Sequence, residues 1–143
     1  MLALLARTLG QPDYNTSTQE AIDPTAVFSK LVGDGIRKAC RDGIALDAAR
    51  PREQRILVRR VETGDTAATN PAGVRQNLAY LALRFWARPL APESAEVTAL
   101  FDLFRLASTA PAVPAESLPA ATPLDGWRAV CVALATDPQF LTY

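Results

Sequence analysis

Two thiols, five clustered arginines and a scatter of carboxylates are the side chains of this sequence that could do chemistry. Cys40 and Cys131 each fall on the apolar stripe of an expected helix. If those helices pack together the pair can form a disulfide; otherwise each is a small buried hydrophobe, and both readings stand at this level. Two thiols without histidine or further cysteine do not make a zinc site. A thiol nucleophile needs a base or a cation to lower its pKa, and only Lys38 and Arg41 lie nearby in sequence. The chain contains no histidine, which removes Ser-His-Asp and Cys-His pairs, His-ligated zinc and CxxCH haem attachment from this polypeptide.

Arg50, Arg52, Arg55, Arg59 and Arg60 fall within eleven residues. On a helix Arg52, Arg55 and Arg59 would share a face and could grip phosphate or an acidic protein partner. No aromatic residue in the segment is available to stack on bases, which speaks against single-stranded nucleic acid. Glu53 and Glu62 nearby also allow a plain solvated, partly ion-paired face. Asp34, Asp42 and Asp47 are loosely grouped but lack the Asp-x-Asp-x-Asp-Gly rhythm of a calcium loop, and neither a Walker loop nor GxGxxG occurs. No cofactor or metal is assigned.

The 143 residues suit one domain, 1–143, and 49% of them are hydrophobic. Fifteen Lys+Arg balance fifteen Asp+Glu, so no net field gathers nucleic acid or anionic lipid. Only Lys30 and Lys38 are lysine; the arginine bias suits interfaces, and equally a GC-rich genome. Met1 to Gly10 reads as a short amphipathic helix without the features of a signal peptide, and no stretch reaches the ~18 apolar residues of a membrane span. If the protein is exported, its signal lies on sequence outside this chain.

Periodicity and caps predict an all-α fold, an irregular bundle of about five or six helices with long wrapping loops. A polar arm, 11–22, precedes Asp23-Pro24, which caps a helix with Val27, Phe28, Leu31, Val32, Ile36, Ala39 and Cys40 on its buried stripe. Gly33 and Gly35 suggest close approach by a neighbour, and Gly43 is placed to end the helix. Pro51 to Val61 is expected to be helical, with Ile56-Leu57-Val58 as an alternative short strand. Asn70-Pro71 starts the strongest helix, apolar on nearly all sides from Leu78 and therefore expected to be central, and Pro89 stops it. Pro92, Glu93 and Glu96 begin another, with Val97, Leu100, Phe101 and Phe104 on one face. A Pro/Ala-rich strap, 108–123, leads to a last helix bearing Trp127, Val130, Cys131 and Leu134. Asp137-Pro138 breaks it before an aromatic tail with Phe140 and Tyr143.

The run VRQNLAYLALRFWARPLAPESAEVTALFDLF from Val74 to Phe104, with GWRAVCVALATDPQFLTY from Gly126 to Tyr143, resembles helical domains of unknown function in large exported proteins of the planctomycete-type cytochrome c group. The likeness rests on the phrases FWARPL (Phe85 to Leu90) and TDPQFLTY (Thr136 to Tyr143). It implies an all-helical fold, a periplasmic or envelope location and a disulfide between Cys40 and Cys131. It supplies no catalytic residues; the family's haem sits in a separate module, so any haem would belong to a partner subunit or to another part of the protein.

Together these features favour a non-enzymatic helical accessory or interaction subunit of a larger, redox or envelope-associated assembly. The arms at 11–22 and 108–123 could wrap a partner. The alternatives are an enzyme domain using carboxylates in an interhelical cleft, on a carbohydrate-like substrate, and nucleic-acid binding through Arg50 to Arg60.

Overall fold

In the computed structural model, residues 26–109 and 120–141 are described. They form α1 (Ala26–Ala48), a 3-10 turn (Arg52–Gln54), α2 (Pro71–Trp86), α3 (Ala95–Ser108), α4 (Pro123–Thr136) and the single turn α5 (Pro138–Leu141). The fold is all-α. The expected terminal helix, the 11–22 arm, the Asp23-Pro24 cap, most of the strap and Tyr143 lie outside the described residues. The chain divides into two compact units, Met1–Ile36 and Arg37–Tyr143. In the first, Lys30 and Asp34 are ion-paired one helical turn apart at 2.5 Å. The core belongs to the second.

The starts of α2, α3 and α4 each follow from a local polar group. The Asn70 side chain accepts the Gly73 N–H at 3.0 Å, with Pro71 at the first helical position. α3 begins at Ala95 rather than at Pro92, because the Ser94 hydroxyl accepts the Val97 N–H while Pro92 and Glu93 sit in the preceding turn. At α4 the Asp125 carboxylate reaches back to the Thr122 N–H (2.8 Å) and hydroxyl (2.7 Å).

Burial works to raise the Asp125 pKa, but the two Thr122 bonds and the Arg128 guanidinium at 2.6 Å outweigh it and hold the carboxyl below its ordinary 3.8. A carboxyl lowered on folding adds stability above the unfolded pKa that is lost as pH falls through the folded one. Melting curves from about pH 7 down to about pH 2 should therefore show an acid limb below about pH 4 that is shallower in Asp125→Asn. An acid limb of unchanged slope would show that Asp125 contributes nothing to it.

The core joins Ile44 of α1, Val58 and Val61 of the following loop, and one face each of α2, α3 and α4. α4 packs on both α2 and α3, and its contact with α3 is the most extensive in the bundle. Gly126 makes that contact close: a Cβ there would stand 2.8 Å from the Phe104 carbonyl oxygen and would meet the Ser108 hydroxyl. Beside it the Phe104 and Trp127 rings lie 4.5 Å apart at 45°, a tilted pairing that suits their quadrupoles. The Trp86 indole N–H donates to the Leu134 carbonyl at 3.3 Å.

Several expectations are corrected. α2 is not buried on all sides as its apolar composition led us to expect: Val74, Leu78, Leu81, Ala82 and Trp86 are buried, while Leu83 is 49% exposed. Among the described residues nothing closely approaches Gly35, where a Cβ would face open space; the close approach is at Gly43, where a Cβ would stand 3.2 Å from the Leu57 side chain. Gly43 does not end α1, which runs on to Ala48. Residues 137–141 turn instead of trailing: the Asp137 carboxylate accepts the Gln139 N–H and starts α5, which sets Phe140 against Phe85 at 5.5 Å.

Candidate functional site

Pro51 ends α1 instead of starting a second helix. A residue before proline is disfavoured in α conformation, and only one 3-10 turn, Arg52–Gln54, follows. The expected helix over Pro51 to Val61 is therefore replaced by an irregular loop, and the strand alternative is not formed either. What holds this loop is a pair of buried polar side chains. The Asp47 carboxylate accepts the N–H groups of Ile56 (3.0 Å), Leu57 (2.6 Å) and Val58 (2.9 Å). The Asn77 side-chain oxygen accepts those of Arg59 (3.0 Å) and Arg60 (2.9 Å), and its amide donates to the Leu57 carbonyl at 3.0 Å. Five successive backbone donors are satisfied without a helix, and Val58 and Val61 can be buried.

The arginines are distributed accordingly. Arg55, its side chain 9% exposed, donates to the Arg50 and Val61 carbonyls and pairs with Glu62 at 2.9 Å. Arg52 donates to the Arg59 and Arg60 carbonyls at 3.1 and 2.8 Å. These two guanidinium groups staple the loop to itself. The shared face of Arg52, Arg55 and Arg59 does not exist, because it required the helix that Pro51 prevents. Arg50 is half-buried, while Arg59 and Arg60 are exposed.

Cys40 and Cys131 are brought together. Their Cα atoms are 5.7 Å apart with the sulfurs at bonding distance, and both residues are 4% exposed. This bridge joins α1 to α4 across most of the sequence.

Beside the loop, the outer face of α2 and the segment after it form an open groove of about 330 Å³, lined by Arg60, Gln76, Tyr80, Leu83, Pro89 and Leu90 among others. The Tyr80 hydroxyl donates to the Ile56 carbonyl at 2.8 Å, and the Arg60 guanidinium lies 5.9 Å from the ring centre. Ile56 and Leu83 are each 49% exposed. A second cavity, about 530 Å³, is lined by Thr66, Ala67, Ala68, Phe101, Arg105, Ser108 and Thr109. Its chemistry is bland: the Ser108 hydroxyl is engaged by the Phe104 carbonyl, and Arg105 is ion-paired with Asp102.

No family model, curated protein or solved structure matches the chain. Function must therefore be read from the groups themselves. Among the described residues no three His, Cys, Asp or Glu are grouped to hold a metal, and no helix is long and apolar enough to cross a membrane.

The sequence groups Asp47 only loosely with Asp34 and Asp42, and neither its role in holding the loop nor that of Asn77 was anticipated. Each carried a signal: Asp47 follows Cys40 and Ile44 at helical spacing, and Asn77 stands between Val74, Leu78 and Leu81. A polar residue on an apolar stripe has to find partners inside. The groove carried no such signal, because its lining comes from a helix face, a loop and a proline-bounded turn whose meeting is a tertiary event.

Proposed function

We propose that this chain is a non-enzymatic helical accessory or interaction subunit of a larger, redox or envelope-associated assembly, with a protein partner, a haem-containing subunit being the kind its resemblance to domains of planctomycete-type cytochrome c proteins implies. The observation that carries the reading is the surface around the Arg60–Tyr80–Leu83 groove. Exposed Ile56 and Leu83 stand there with Arg59 and Arg60, which are exposed and have no carboxylate partner among the described residues. Tyrosine, arginine and large apolar side chains at one place are the composition of an interface centre. A bridge between Cys40 and Cys131 supports an oxidising compartment, where such bonds persist.

Native mass spectrometry of the protein isolated from its own source without reductant tests this. A complex of fixed stoichiometry is expected. A lone monomer at every concentration would overturn the reading.

A further inference from the structure

We propose that the groove bounded by α2 and the Pro89–Pro92 turn is the docking site for an extended segment of a partner protein, one whose bulky apolar side chains are flanked by carboxylates. The proposal rests on the interaction-subunit reading and assigns its contact.

Charge complementarity identifies the occupant. The ion pairs of this unit engage Arg41, Arg52, Arg55, Arg88, Arg105 and Arg128. Arg60 lines the groove, Arg59 precedes it, and Arg84 follows Leu83 on α2; all three are exposed and none has a carboxylate partner among the described residues. None of the described lining residues is acidic. Guanidinium groups in this setting select carboxylates and hold them bidentately.

The floor selects apolar side chains. Ala79, Tyr80, Leu83 and Leu90 supply the apolar part of the lining. At about 330 Å³ the groove is at the lower edge of small-ligand sites, and it is open to solvent, so it suits a few side chains of a passing chain better than an enclosed molecule. Pro89 and Pro92 in the wall have no N–H to offer, which removes donors for strand addition and leaves recognition to side chains. One tyrosine, its hydroxyl already engaged, is a poor stacking platform for a nucleic acid.

The groove is also set before binding. The Arg75 guanidinium donates to the Pro92 carbonyl (3.3 Å) and the Thr98 hydroxyl (3.1 Å) while lying 4.4 Å over the Phe101 ring. Arg88 binds both Glu96 and Gln139. The wall that carries Pro89 and Pro92 is thereby tied to α3 and α5, and an incoming segment has little of the receptor to order.

The test uses the full oxidised chain and a fluorescein-labelled probe peptide, Ser-Glu-Leu-Pro-Glu-Leu-Glu-Ser, read by anisotropy. Saturable binding that weakens with added salt is expected. It should fall by about tenfold or more in Leu83→Glu and in the Arg60→Ala/Arg84→Ala pair, with Arg105→Ala unchanged. Leu83 is exposed, so the variant should keep its helical circular dichroism. No saturable binding, equal binding of the peptide with lysine for glutamate, or tighter binding of an oligothymidine that survives Leu83→Glu would overturn the proposal.

A photocrosslinker at position 83 in the complex from source separates this failure from failure of the broader reading. A complex whose crosslinked partner peptide carries leucine-like and acidic residues supports the groove. A complex that crosslinks from exposed Leu106 but never from position 83 removes the groove and leaves the interaction reading intact. Absence of any complex removes the reading itself.

Discussion

Opening the Cys40–Cys131 bridge is expected to lower the stability of the protein by about 3–5 kcal/mol. The bridged residues are 91 apart in sequence, and the entropy that a crosslink removes from the unfolded chain grows with the logarithm of the loop; for a loop of this size it is worth about 4–5 kcal/mol at 25 °C. The native state has little to oppose it, since both cysteines are already buried. Within this unit α1 is otherwise held by Ile44 in the core, by the contact of Gly43 with Leu57, and by the Asp47 bonds. Urea unfolding with and without reductant measures the effect, and a Cys40→Ala/Cys131→Ala variant repeats it without thiol chemistry. Identical midpoints, together with two thiols reactive in denaturant before any reductant is added, would show that no bridge exists. An intact mass lighter by two hydrogens reports it directly.

Asp47→Ala should cost a comparable amount, about 3–5 kcal/mol. Three consecutive backbone N–H groups lose their acceptor; Asp47 is 2% exposed and its bond to Val58 is buried, while those to Ile56 and Leu57 are part-buried. A buried donor left unpaired costs about 1–3 kcal/mol, and bonds to a charged acceptor are the stronger kind. Asp47→Asn is the informative control. Its remaining carbonyl oxygen can keep the Leu57 and Val58 N–H groups, so the loss should be roughly half as large. Asn77 holds the next two N–H groups of the same loop, and Asp47→Ala with Asn77→Ala should therefore be less than additive in a double-mutant cycle. Chemical denaturation reads all of these. A loss below about 1 kcal/mol for Asp47→Ala would mean that the loop holds itself without the carboxylate.

The same loop separates what is legible in sequence from what is not. Asn70-Pro71 marked the start of α2 because a cap and its helix are neighbours in the chain, and the apolar positions of α3 and α4 marked their buried faces because 3.6-residue periodicity is local. Pro51 to Val61 went astray for the opposite reason. The acceptors that decide its shape are Asp47 and Asn77, nine to eighteen residues away from the donors they hold, and no local propensity registers them. A helix there would have set Arg52, Arg55 and Arg59 on one face; in the fold Arg52 and Arg55 clamp their own backbone and Arg59 is exposed.

The all-α class, the starts of α2 to α5 and the buried stripes of α3 and α4 were determined by the sequence itself, through caps, prolines and spacing that act within one or two turns; the stripe expected on α1 was not, since Leu31 and Ala39 are exposed and Cys40 is buried. Tertiary structure alone decided three things: that Cys40 meets Cys131, that Arg52 and Arg55 bond the carbonyls of their own loop while Arg59 and Arg60 point to solvent, and that α2 and the Pro89–Pro92 turn enclose a groove. The reason is physical. Each depends on groups far apart in the chain whose approach is set by packing against a common core, and a sequence read along its length shows which residues seek burial but not which of them will meet.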